Sequence, residues 1–148
     1  MFVGEICNRQ VVICQPEDSI QQAVELMRNN HVGDVIVVEH KLNMHFPVGI
    51  LTDRDIVIEV MAEGVDAKSI TVKDVMSSEL ISVREDDHII ETIEKMRDKG
   101  IRRVPVVNRD GGLEGILAVD DTIELVAELL SDLVKLFKHE FKREVKTR

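Results

Sequence analysis

Residues Gly49-Ile50-Leu51-Thr52-Asp53-Arg54-Asp55-Ile56 place four polar side chains at the end of an apolar run. A strand that ends at Leu51, a polar corner and a helix beginning near Asp55 would leave unpaired backbone N–H groups and a partial positive charge at the corner, a setting that suits an anion. Thr52 carries a hydroxyl that can donate to a phosphate, and Arg54 can add a charge-assisted hydrogen bond. Asp55 accepts hydrogen bonds and so suits the two hydroxyls of a ribose. The octapeptide also has a plainer reading, in which Thr52 or Asp53 is an N-cap and no ligand is involved.

The elements that hold this corner occur twice. Residues 3–38 displaced by 69 positions fall on residues 72–107, so that Asp18, Ile20, Glu25, Met27 and Arg28 meet Asp87, Ile89, Glu94, Met96 and Arg97. Val35, Val37 and Val38 meet Val104, Val106 and Val107 in the same alignment. After a deletion of three residues, Gly49-Ile50-Leu51 meets Gly115-Ile116-Leu117 and Asp55 meets Asp121. Within each copy, Val11–Cys14 or Leu80–Val83 reads as a short strand rich in β-branched residues. Pro16-Glu17-Asp18-Ser19, or Glu85-Asp86-Asp87, then supplies turn residues and a helix N-cap. Ile20, Ala23, Val24 and Met27 mark one face of a helix, as Ile89, Ile93 and Met96 do in the second copy. Val35–Val38 and Val104–Val107 read as strands buried on both faces. Val48–Leu51 and Leu113–Val119 read as third strands. His40–Pro47 reads as a loop on the surface, and Asn108–Gly112 as a compact turn. The unit is β-α-β-β-α, which places the chain in the α/β (α+β) class. The units span residues 1–69 and 70–130, followed by a basic helical extension over 131–148.

The tandem units, the Thr-x-x-Asp corner and Gly100-Ile101-Arg102-Arg103-Val104-Pro105-Val106-Val107 resemble the CBS-domain family over about residues 3–130. Two such repeats look like a Bateman module, a regulatory unit that binds adenosine nucleotides. The resemblance implies two clefts related by a pseudo-twofold axis, each taking its corner from one repeat and its base-contacting strands from the other. The first would combine Thr52, Arg54 and Asp55 with Ile81, Ile101, Arg102 and Arg103. There Asp55 would hold the ribose, Thr52 and Arg54 the phosphate, Ile81 and Ile101 the adenine, and the two arginines would add positive charge. The second would combine Ala118, Asp120 and Asp121 with Val12, Val32, Gly33 and Asp34. It keeps the ribose acid, Asp121, but Ala118 lacks a hydroxyl, Asp120 stands where Arg54 does, and Asp34 stands where Arg103 does. Like charges in a partly buried site repel by about 4 kcal/mol at 4 Å. The second cleft is therefore expected to be empty, or to take an adenosine moiety with little phosphate. AMP is the first expectation for the ligand, with ADP, ATP, NAD and S-adenosylmethionine as the alternatives that share its adenosyl part.

The chain has 148 residues with 28 acidic and 19 basic side chains, a net charge of −9, which disfavours nucleic-acid partners. No apolar run is long enough to span a bilayer, and the N-terminus has no secretory-signal pattern, so the expectation is a cytoplasmic protein without membrane contact. Cys7 and Cys14 lack the spacing of a metal or redox pair and read as packing residues. His31, His40, His45, His88 and His139 show no ligand spacing, and no metal is expected. No catalytic constellation and no catalytic cofactor is evident. Ile123, Val126, Ala127, Leu130, Leu133, Val134, Phe137 and Phe141 line one face of a long helix. Lys135, Lys138, Lys142, Arg143, Lys146 and Arg148 oppose only Glu140 and Glu144 there, a local +4 that leaves −13 for the rest. Basic residues at a helix end complement the macrodipole. They also suit an acidic partner, and the apolar stripe suits a second chain, so a homodimer is expected. Two functions follow: a stand-alone sensor of an adenosine nucleotide that signals to an effector protein, or an interaction and dimerisation module with vestigial clefts. A small enzyme ranks last.

Overall fold

The structure is a computed structural model and describes residues 1–147. Arg148, one of the basic residues of the tail, lies outside the described residues. The chain runs α1 (Val3–Ile6), β1 (Ile13–Cys14), α2 (Ile20–Asn30), β2 (Asp34–Lys41), β3 (Met44–Thr52) and α3 (Asp53–Ile56), which continues as a π-helical turn, Val57–Met61. It repeats as α4 (Val72–Val75), β4 (Val83–Arg84), α5 (Ile89–Lys99), β5 (Arg103–Val107), β6 (Leu113–Ala118) and α6 (Val119–Thr147). Each repeat holds a three-stranded sheet, β1-β2-β3 or β4-β5-β6, with a parallel first pair and an antiparallel second pair. This is the α/β architecture expected from the duplication, with a short helix added ahead of each unit.

Local chemistry explains the elements. Ser19 caps α2, its hydroxyl accepting from the Gln22 N–H at 3.1 Å while Gln22 Oε1 accepts from the Ser19 N–H at 2.8 Å. In the second repeat the N-cap is His88, with no side-chain capping bond, rather than one of Glu85-Asp86-Asp87. Asp87 instead accepts from the Arg84 N–H and closes the turn, as Asp18 does from the Gln15 N–H. Both helices end on a left-handed residue, Gly100 at φ 64° and His31 at φ 55°. Glycine adopts that conformation freely, whereas a side chain there costs on the order of 1 kcal/mol. His40–Pro47 is no loop: β2 and β3 extend through it as a hairpin that turns at Leu42-Asn43, both at positive φ. Its tip reaches the other repeat, where Asn108 Nδ2 lies 3.8 Å from Met44 Sδ.

The two cores do not divide at residue 69. Ile20, Ala23, Met27, Val35, Val37 and Leu51 form the first together with Val72 from the start of the second repeat. Ile89, Met96, Val104, Val106 and Leu117 form the second together with Val3 from the start of the chain. The backbone repeats this exchange. Val3 and Gly4 N–H groups donate to Asp87 and Glu85, and Val72 and Lys73 N–H groups donate to Asp18 and Pro16. Asn8 exchanges two hydrogen bonds with Ile116, and Ser77 exchanges two with Ile50. These contacts explain two glycines. A Cβ on Gly49 would stand 2.9 Å from the Ser77 carbonyl oxygen, and one on Gly115 2.8 Å from that of Asn8. Cys14 is buried in the first core, where desolvation pushes its thiol up to about 12, and Cys7 is half-buried beside the second core.

Truncating either exchanged valine should loosen the distant repeat rather than its own. Val3→Ala is expected to cost about 2 kcal/mol and to speed amide exchange at Val104 and Leu117. Val72→Ala should do the same at Val35 and Leu51. Hydrogen exchange followed residue by residue checks this, and protection lost within the mutated repeat alone would contradict it.

Candidate functional site

The corner after β3 is built by a reciprocal cap. Helix α3 starts at Asp53, two residues earlier than the sequence reading, with Thr52 as its N-cap. Thr52 Oγ1 accepts from the Asp55 N–H at 3.1 Å, and Asp55 Oδ2 accepts from the Thr52 N–H at 3.0 Å. Capping and ligand binding are compatible here. The hydroxyl that accepts the Asp55 N–H still has its own hydrogen to donate, and Asp55 Oδ1 is not used by the cap. The Asp53 N–H donates to the Gly33 carbonyl at 2.9 Å and ties the corner to the residue before β2. Thr52 and Asp55 are half-buried and Arg54 is exposed, so the corner opens to solvent with its charge outermost.

The equivalent corner of the second repeat keeps half of this device. Asp121 Oδ2 accepts from the Ala118 N–H at 2.9 Å, and the Val119 N–H donates to the Arg102 carbonyl at 2.8 Å. Ala118 has no hydroxyl to return the bond. The corner faces a cleft of about 310 Å³ that gathers Ala118, Asp120 and Asp121 with Val12, Val32, Gly33 and Asp34. The seven residues assigned to the second cleft from the sequence thus come together. Asn8, Gln10, Val11, His31, Ile116 and Arg103 complete the lining. His31 and Asn8 gave no signal in the sequence: one closes a helix and the other lies on an exchanged segment.

Arg103 and Asp34 occupy equivalent positions in the two repeats and form an ion pair, Arg103 Nε to Asp34 Oδ2, at 2.5 Å. Because the pair joins equivalent residues, it sits on the pseudo-twofold axis. Asp34 is the inner member, with 13% of its side chain exposed against 40% for Arg103. Burial pushes the Asp34 carboxyl up, against the pull of the Arg103 charge. This modifies the electrostatics expected from the sequence. The Asp34 charge is compensated, so Asp120 and Asp121 supply the negative charge of the second cleft. The guanidinium of Arg103 is likewise engaged and lines that cleft too, rather than standing free beside Thr52.

The first corner lies near the other exchanged segment. Ser77, bonded to Ile50, brings the segment leading to Ile81 alongside β3. Asp34 is registered opposite Thr52 and paired with Arg103, which links the end of β3 to the start of β5. Ile81 is half-buried, Ile101 packs half-buried against the second core, and the exposed Arg102 gives its carbonyl to Val119 at the second corner. The first corner itself offers a hydroxyl donor at Thr52, a carboxylate acceptor at Asp55 and the charge of Arg54.

Known proteins share this organisation. The CBS-domain family model matches residues 3–62 and 72–128. An uncharacterized protein of Methanopyrus kandleri is 34% identical over 136 residues, which cover 92% of this chain and 68% of that one. A CBS domain-containing protein of Bacillus subtilis, YhcV, is 35% identical over 119 residues, covering 80% of this chain and 81% of that one. A solved CBS domain protein of Pyrobaculum aerophilum complexed with AMP superposes with a TM-score of 0.73 at 27% identity, covering 82% of this chain and 89% of that one.

The two corners make opposite predictions for stability. Thr52→Ala removes a reciprocal cap and should cost about 1 kcal/mol, whereas Ala118→Thr completes one and should add about 0.5–1 kcal/mol. Urea midpoints at constant slope measure both, and equal effects of the same sign would contradict the assignment.

Proposed function

This chain belongs to the CBS-domain family, and from that premise we propose that it is a regulatory module that binds an adenosine nucleotide in its first cleft and has no catalysis of its own. The observation that carries the reading is the Thr52–Asp55 cap, which keeps one hydroxyl hydrogen and one carboxylate oxygen available beside Arg54. Asp55 takes the ribose diol. Thr52, Arg54 and Arg102 take the phosphate, while Arg103 is held by Asp34 and its charge is compensated. Ile81 and Ile101 hold the adenine. AMP fits this set best, because one hydroxyl and a few guanidinium groups at an open corner match a short phosphate chain. The AMP complex of the Pyrobaculum aerophilum relative supports the choice.

The second cleft, with Val12, Val32 and Asp121, keeps the ribose acceptor but offers Asp120 where a phosphate would lie. It takes an adenosine moiety with little phosphate, if any ligand. Binding in the first cleft orders side chains from both repeats, shifts their relative position, and so presents a changed surface to an effector protein. The module works as a homodimer in the cytoplasm. No helix among the described residues is long and apolar enough to cross a membrane. The interaction-module reading draws its support from α6, whose apolar stripe is exposed, and requires no ligand.

The chain has no Trp or Tyr, so absorbance near 260 nm in purified protein reports bound nucleotide almost alone. Mass spectrometry of the denatured supernatant is expected to release AMP. Added AMP at a hundredfold its dissociation constant should stabilise the protein by about 2.7 kcal/mol. Asp55→Asn preserves the cap acceptor and should weaken AMP at least tenfold, while Asp121→Asn leaves it unchanged. Full AMP affinity in Asp55→Asn would refute the site, and a flat spectrum with no thermal shift for any adenosyl compound would favour the interaction module.

A further inference from the structure

Helix α6 begins at the second corner and packs against the second core as far as Leu125. Every residue from Val126 to Thr147 is exposed. Ten large apolar side chains of this helix, Ile123 to Val145, are 46–72% exposed, with Phe137 the most open at 72%. A helix in water is held chiefly by packing of its apolar face, which here meets nothing within the described chain.

The charge along α6 says what covers that face. Between Val119 and Asp132 there is no Lys or Arg, and the acids include Glu124, Glu128 and Asp132. From Leu133 onward Lys135, Lys138 and Lys142 lead a run of bases that outnumbers Glu140 and Glu144. The macrodipole explains such a pattern only within the first and last turns, whereas here the sign changes at mid-helix, between Asp132 and Lys135. A parallel neighbour of the same sequence would set acid against acid and base against base. An antiparallel one sets each acidic half against a basic half, and Leu129, Leu130, Leu133, Val134, Leu136 and Phe137 meet around the crossing. An acidic partner on the basic half would leave Val126, Leu129 and the acidic half uncovered. One twofold operation covers both halves.

We infer that α6 pairs antiparallel with α6 of a second copy of this chain, the twofold axis passing near Leu133. The inference rests on the homodimer reading and adds its geometry. The test uses the full chain with Cys7→Ser, Cys14→Ala and Thr147→Cys, spin-labelled at residue 147. At 1.5 Å per residue the two labels should stand about 40 Å apart, against under about 20 Å for parallel helices. A second measurement uses surface substitutions alone: Lys135→Glu, Lys138→Glu and Lys142→Glu together should weaken the dimer at least tenfold in sedimentation. Adding Glu124→Lys, Glu128→Lys and Asp132→Lys to the same chain should restore it. A monomer at tens of micromolar overturns both this inference and the homodimer reading. A dimer with the short distance, or one indifferent to the charge reversals, overturns the antiparallel pairing alone.

Discussion

The exchange of leading segments between the repeats is the constraint on which the rest of the structure depends. Val3 is fully buried in the second core and Val72 in the first, each carried there by backbone hydrogen bonds to the opposite repeat. Neither β-α-β-β-α unit is complete alone. Each has a three-stranded sheet and one short face to cover, too little buried surface for a chain of about 60 residues to hold firmly. Separating the repeats would open both cores at once. Hydrophobic burial therefore couples the two repeats to each other. Gly49 and Gly115 record the same constraint, since a side chain at either would push back the segment crossing it.

On this symmetric frame the two corners have diverged. The carboxylate cap survives in both, because Asp55 and Asp121 each satisfy an N–H that the helix start would otherwise leave unpaired. The hydroxyl survives only as Thr52. A carboxylate with a structural task persists whether or not a ligand binds, so the presence of Asp121 says less about ligand than the absence of a hydroxyl at Ala118. The Asp34–Arg103 pair shows the complementary effect. Two residues with opposite charges at equivalent positions compensate each other only because the axis brings equivalent positions together.

Helix α6 joins the second cleft to the exposed tail in one rigid element, its first turn holding the Asp121 cap and its remainder standing clear of the body. Its counterpart in the first repeat stops after α3 and a π-helical turn at Met61. The duplicated units thus differ most at their C-terminal ends, where packing within the chain no longer constrains them.

Much was legible in the residues alone. The repeat, the sheet strands Val35–Val38 and Val104–Val107, the buried faces of α2 and α5 and the length of α6 follow from spacing, since periodic burial leaves a periodic sequence. The membership of the second cleft followed from the duplication and the family resemblance. Other features had no local signature. His40–Pro47 looks like a loop because its polar residues face solvent, yet ladder hydrogen bonds carry the strands through it. The start of α3 at Asp53 depended on which of two adjacent polar residues found the return bond. The placement of Val3 and Val72 in opposite cores, and the pairing of Asp34 with Arg103, were decided by tertiary structure alone. An apolar residue declares that it will be buried but not in which core, and a charge declares its sign but not its partner, because both depend on segments distant in the chain.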